Sequence, residues 1–145
     1  MLPRMPSGSG HLRPGRAAAE PAWNPLELPP DVFSAHCPSR AVLELVADKW
    51  AVLVARALSD GAKRHSELRE RIDGISQKML TSTLRRLERG GLVQRRVYAE
   101  VPPRVEYSLT ALGHGLREPV VALTDWAQAN AFPVYQAQRR RAGAS

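Results

Sequence analysis

From residue 36 onward, apolar and polar positions alternate with two different periods. Val42, Leu45 and Val46 recur at i, i+3 and i+4, the spacing of one helix face. Cys37-Pro38 opens that helix, because proline suits a first helical position and leaves Cys37 as N-cap. A second helix is expected from about Asp48 to Ser59, with Trp50, Leu53, Val54 and Leu58 inward, Asp48 as N-cap and Asp60-Gly61 as its stop. A short third helix should cover Ser66 to Ile72, capped by Ser66, with Leu68 and Ile72 buried. The fourth runs from Ser76 to Gly90-Gly91. Ser76 is its cap, and Ile75 and Leu80 stand where a hydrophobic staple would lie.

The period then shortens to two. Val93, Arg95 and Val97 alternate with Gln94, Arg96 and Tyr98, and alternation resumes at Val105, Tyr107 and Leu109. Two antiparallel strands joined by a proline-containing loop follow from this. Thr110 should cap one long last helix to about Asn130, with Leu112, Leu116, Val120, Leu123 and Trp126 or Ala127 on its stripe and a kink at Pro119. Four helices, a hairpin and a helix make a mainly α fold with a small β-hairpin wing, a winged helix-turn-helix.

Residues 1–35 carry no such period. Seven of the twelve prolines fall by residue 33, with Gly, Ser and Ala between them. This reads as a disordered leader, or in part as an effect of start-codon choice, since Met5 is another possible start. The folded domain is expected over residues 36–131, and 132–145 as a basic flexible tail with Arg139, Arg140 and Arg141.

Composition narrows the class. At 43% hydrophobic and 24% charged, the chain is globular in type. No apolar run approaches the roughly 20 residues of a membrane helix, and the first ten residues lack a signal-peptide core. A cytoplasmic, nucleoid-associated protein with no membrane partner is the expectation. One cysteine excludes an internal disulfide and a multi-thiolate zinc site. His11, His36, His65 and His114 share no ligand spacing, so neither metal nor cofactor is expected. No phosphate loop, nucleophile elbow or paired-carboxylate pattern appears, which argues against an enzyme. Asp48-Lys49-Trp50 is explained as a cap followed by a core residue.

The net charge of +7 is unevenly placed. Residues 63–104 hold eleven Lys and Arg against five acids, the footprint of a phosphate-binding surface or of a merely solvated basic face. On a helical projection of 76–89, Arg85, Arg89 and Ser82 lie within roughly 40° of Lys78, and Thr81 about 60° away. Leu80, Leu84 and Leu87 lie opposite. Such a helix suits a major groove. Ser76, Gln77, Lys78 and Thr81 would reach base edges, since Gln can pair with adenine and Lys can reach guanine. Arg85, Arg86 and Arg89 would meet phosphates, and the helix N-terminus offers its own N–H groups. Arg95 and Arg96 add charge on the wing. Arg104, beside Pro103 at the hairpin tip, is the candidate for backbone or minor-groove contact.

These residues resemble the HxlR-type winged helix-turn-helix regulators of bacteria over about His36 to Ala127. The likeness rests on Cys37-Pro38, Asp48-Lys49-Trp50, Ser66-Glu67-Leu68-Arg69, the run Gly74 to Thr81, Leu84-Arg85-Arg86-Leu87-Glu88, Gly91-Leu92-Val93 and the run Glu100 to Thr110. It implies a homodimeric DNA-binding transcriptional regulator, joined through its terminal helices, with the 76–89 helix in the major groove and the 93–109 wing on the backbone. The operator would be pseudo-palindromic double-stranded DNA. Trp126 would then be core or dimer interface. Two departures stand out: His65 replaces the usual aromatic residue, which would loosen the third helix, and Ala51 follows Trp50 where Thr or Ser is common.

Cys37 at a helix N-terminus, beside His36, is placed to favour a thiolate. The resemblance makes it a candidate sensor, with a small electrophile or oxidant as inducer, because some such regulators sense through a cysteine at this Cys-Pro position. The other reading is an inert cap or interface residue. Any disulfide must be intersubunit or to a small thiol. For the whole chain, the alternative function is a winged helix used as a protein-interaction or RNA-binding module.

Overall fold

A computed structural model describes residues 29–144; most of the expected leader, 1–28, lies outside the described residues. Residues 29–40 and the body from Ala41 are separate units and are taken in turn. Within residues 29–35, expected to be disordered, turns begin at Val32. The Ser34 N–H donates to the Asp31 carbonyl at 3.0 Å, and the Cys37 N–H to the Ser34 carbonyl at 3.2 Å. Arg40 binds the carbonyls of Val32 at 2.7 Å and Phe33 at 3.3 Å.

Six helices and one hairpin follow: α1 (Ser39–Val46), α2 (Lys49–Leu58), α3 (His65–Arg71), α4 (Gln77–Arg89), β1 (Val93–Tyr98), β2 (Arg104–Leu109), α5 (Ala111–His114) and α6 (Arg117–Gly143). Cys37 lies two residues before α1, and the Arg40 N–H reaches its carbonyl at 3.1 Å, so the expected cap holds to within a residue. Asp48 caps α2: its Oδ1 accepts the N–H of Trp50 at 2.7 Å and of Ala51 at 3.3 Å. A cap of this kind is worth about 1 kcal/mol. Val54, Leu58, Leu68, Leu80, Leu84 and Leu87 are fully buried and form one core with Ile72, Ile75, Leu92, Val93 and Leu109. Leu45, Val46, Trp50 and Leu53 pack on its edge, while Val42 is exposed.

The third helix begins one residue earlier than expected. Arg64, not Ser66, stands at the N-cap, because the Glu67 carboxylate accepts the Arg64 backbone N–H at 3.0 Å and closes the first turn there. The fourth helix follows its sequence closely. The Ser76 Oγ accepts the Met79 N–H at 3.0 Å, and Ile75 and Leu80 are both buried in the core. At its end Gly91 adopts φ +75°, its N–H donates to the Glu88 carbonyl, and the Leu92 N–H donates to that of Leu87, each at 3.0 Å. That is a Schellman closure, and it aims the chain into β1.

The two strands pair antiparallel, from Val93 with Leu109 to Tyr98 with Arg104. Only their base is buried. Val97 is exposed because the hairpin projects beyond the core. The sequence reading missed a third partner: Lys63 and Tyr107 exchange backbone hydrogen bonds of 2.8 and 2.9 Å, which ties the start of α3 to the wing.

The single last helix expected from Thr110 is two helices. Thr110 does cap, accepting the Gly113 N–H at 3.0 Å and donating to the Gly91 carbonyl at 2.6 Å. Gly113 passes so close to the Leu92 carbonyl that a Cβ would collide with it, and the chain turns before resuming as α6. Pro119 therefore falls in the first turn of α6, where its missing N–H has no intrahelical partner to lose, and it no longer calls for a kink. The proline inside the helix is Pro133. Residues 132–143, expected as a flexible tail, continue α6. Arg56 fastens α6 to α2, its Nη1 reaching the Val121 carbonyl, the Thr124 hydroxyl and the Asp125 carboxylate at 3.0–3.3 Å.

Candidate nucleic-acid interface

The burial of Leu80, Leu84 and Leu87 turns the opposite edge of α4 outward. Gln77, Lys78, Thr81, Ser82, Arg85 and Arg89 line one open groove along it. Lys78, Arg85 and Arg89 form no ion pair among the described residues, so their charge is uncompensated. No large apolar side chain lines this groove. Ser76 lies at its N-terminal end with Oγ engaged as the cap.

Arg86 departs from expectation. It is half-buried, and its Nη2 lies 3.6 Å from Oδ2 of Asp48. The physical reason is angular: eight residues carry it about 80° from Lys78, toward α2. One carboxylate thus caps α2 and holds α4 against it.

The wing divides its arginines. Arg95 lines a second cleft with Thr81, Arg85, Glu88 and Tyr107, so it faces the same side as the groove. Arg96 is exposed on the other strand face, its guanidinium 5.0 Å from the Tyr98 ring. Arg104, expected free at the tip, is instead held by Glu100 at 3.2 Å and Glu106 at 3.5 Å, and lies 4.0 Å from the Tyr98 ring centre. Two carboxylates hold it, and through them it braces the hairpin.

The sequence reading missed the role of His65. Rather than loosening α3, its Nε2 lies 3.1 Å from the Thr81 hydroxyl and links α3 to α4. Burial first, and the Arg69 charge second, hold its pKa below the ordinary histidine value. The signal was the histidine itself, in a place where an aromatic ring would make no such bond.

Cys37 is buried but stands outside the main core cluster. The Ser39 hydroxyl donates to its sulfur at 3.0 Å and the Asp31 N–H at 3.3 Å. Hydrogen bonds from Ser39, then from Asp31, lower its pKa against the opposing effects of burial and the Asp31 charge. Among the described residues no group of His, Cys, Asp or Glu is placed to hold a metal ion, and no helix is long and apolar enough to cross a membrane.

Residues 45–134 match the family described as HxlR-like helix-turn-helix. The chain is 46% identical over 112 residues to the HTH-type transcriptional regulator YtfH of Escherichia coli K12, itself uncharacterized, covering 77% of this chain and 89% of YtfH. Among solved structures it is similar to ytfH from Salmonella typhimurium, with a TM-score of 0.68, 46% identity and coverage of 77% and 98% of the two chains. It is also similar to the redox regulator HypR in its oxidized form, with a TM-score of 0.61, 41% identity and coverage of 65% and 97%. The diamide-treated YodB of Bacillus subtilis gives a TM-score of 0.57 at 36% identity, with coverage of 66% and 96%.

Proposed function

Because the chain belongs to the HxlR-like helix-turn-helix family of transcriptional regulators, we propose that it is a sequence-specific DNA-binding repressor that works as a homodimer. The observation that carries this reading is the groove on α4, with three unpaired cations, three polar side chains and no acid along one helix edge. Gln77, Lys78, Thr81 and Ser82 read base edges. Arg85 and Arg89, further along α4, meet phosphates, and Arg95 extends the same surface onto the wing. Ser76 contributes through the N–H groups of the turn it caps. Arg96 approaches backbone from the other face of the hairpin, whereas Arg86 and Arg104 shape the surface from within.

The dimer reading is supported by α6, where Leu123, Trp126, Phe132 and Tyr135 are exposed. A two-fold pair would set two α4 helices ~34 Å apart on a pseudo-palindrome, acting in the cytoplasm on the nucleoid. Cys37 is proposed as a thiol responsive to a small oxidant or electrophile. Its lowered pKa and its two hydrogen-bond donors support this, and HypR, to which the chain is similar, is named a redox regulator.

Selection of duplexes from a random pool, followed by affinity measurements across salt, tests the reading. One enriched half-site and a steep fall in affinity with salt are expected. Weak binding that ignores sequence would favour the interaction or RNA-binding module. In the same assay diamide should weaken binding by wild type and leave Cys37→Ser unaffected.

A further inference from the structure

Among the described residues the Thr81 hydroxyl has one hydrogen-bond partner, and it comes from another helix: Nε2 of His65, the first residue of α3. A hydroxyl carries one proton and two lone pairs, so the imidazole engages part of its capacity and leaves the rest. Thr81 lines the groove with Lys78, Ser82 and Arg85, so the remaining capacity is offered where a base edge would lie. Resting on the DNA-binding reading above, we propose that His65 is a positioning residue for sequence readout: it fixes how Thr81 presents its hydroxyl to a base, and it takes up a proton when duplex phosphates arrive.

The chemistry follows from the tautomers. A neutral imidazole nitrogen either accepts the threonine proton or donates its own, and each choice leaves Thr81 in the opposite role. An imidazolium can only donate. Thr81 must then keep its own proton free, which suits an acceptor on the base edge, such as O6 or N7 of guanine or O4 of thymine. Protonation of His65 thereby selects what Thr81 reads.

The surroundings set when this happens. On its own helix His65 has Arg69 nearby, with Arg64 just before it and a Glu67 carboxylate engaged on the Arg64 backbone N–H. From α4, Lys78 and Arg85 lie one turn to either side of Thr81. From the wing, Arg95 shares the second cleft with Thr81, together with Glu88 and Tyr107, and Lys63 is bridged to Tyr107. The balance is positive, and burial acts in the same direction, so the free protein holds His65 neutral at neutral pH. Phosphates along the groove reverse that balance. Binding then consumes a proton, and affinity rises as pH falls toward the ordinary histidine range.

The test uses the full chain and its selected duplex, with binding measured from pH 8 to 5.5 at fixed ionic strength, and again with each base replaced at the half-site. Wild type should gain on the order of tenfold in affinity across this range, the effect of a one-unit change in one group's pKa on binding. His65→Gln can still bond Thr81 but cannot titrate, so it should keep the base preference and lose the pH slope. His65→Phe should lose both. Thr81→Val should lose the preference at one base position and keep the slope. A His65→Phe protein that binds with wild-type slope and preference overturns the proposal while leaving DNA binding intact. If His65→Phe fails to fold, a pH slope that persists in His65→Gln overturns it equally. A wild-type protein that selects no duplex removes the DNA-binding reading itself, and this one with it.

Discussion

Helices α4 and α6 both carry large apolar side chains, and the fold treats the two sets in opposite ways. On α4, Leu80, Leu84 and Leu87 are at most 1% exposed, and the polar edge is left free. On α6 only Val120 is buried, while Leu123 and Trp126 remain 55% and 61% exposed and Phe132 67%. Amphipathicity states that a face needs cover without stating whose. The α4 stripe is covered by α2, α3 and the base of the wing within one chain. On α6 such cover reaches only Val120 among the described residues, and in the proposed dimer a second copy covers Leu123 and Trp126, one turn apart on one side of the helix. In that proposal the working surface is polar on one helix and apolar on the other.

The largest expected effect separates the two helices by stability. Leu84→Ala removes a side chain that is 1% exposed and should cost about 2–5 kcal/mol, read as a lower denaturant midpoint. Trp126→Ala, measured at a dilution where the protein is monomeric, should cost less than about 1 kcal/mol, as exposed positions do. Equal losses would mean that α6 is covered within its own chain, and the contrast would disappear.

The next effect is on assembly. Leu123→Glu combined with Trp126→Glu places two charges on the exposed stripe. Sedimentation should show monomer, with helicity retained. Affinity for a two-half-site duplex should fall by on the order of a hundredfold, the loss of bivalent engagement, while affinity for a single half-site should barely change. A double variant that remains dimeric would move the interface off α6.

Local rules explain which parts could be read from sequence. The cap at Ser76, the burial of Ile75 and Leu80 and the glycine stop at Gly91 each follow from residues close together in the chain, and all three are present. The break between α5 and α6 depends on Gly113 meeting Leu92, a contact across the fold that helical periodicity does not contain. The same limit applies to the Lys63–Tyr107 bridge, made by one residue in a segment with no alternation. Arg104 is different, because Glu100 four residues before it and Glu106 two residues after it on the same strand face were visible in sequence. The count of positive charges in 63–104 concealed that local neutralisation. His65 stands out in sequence as a departure, but its partner Thr81 lies sixteen residues away on another helix.

The smallest effect tests the finest distinction on α4, between two adjacent arginines. Arg85 lines the groove unpaired, whereas Arg86 is turned toward Asp48 at 3.6 Å. If Arg85 neutralises one phosphate, Arg85→Ala should lower the slope of log affinity against log salt by about one. Arg86→Ala should leave that slope unchanged. Its cost should appear in stability, at about 0.2–1 kcal/mol, because the pair is about one-third exposed and partly screened by solvent. Asp48→Asn separates the two jobs of that carboxylate: the amide oxygen still caps α2, but the charge facing Arg86 is gone. The freed Arg86 should then raise the salt slope toward one additional contact. A slope that falls equally for Arg85→Ala and Arg86→Ala would place both side chains on phosphate, and would mean that the Asp48 pair opens when DNA binds.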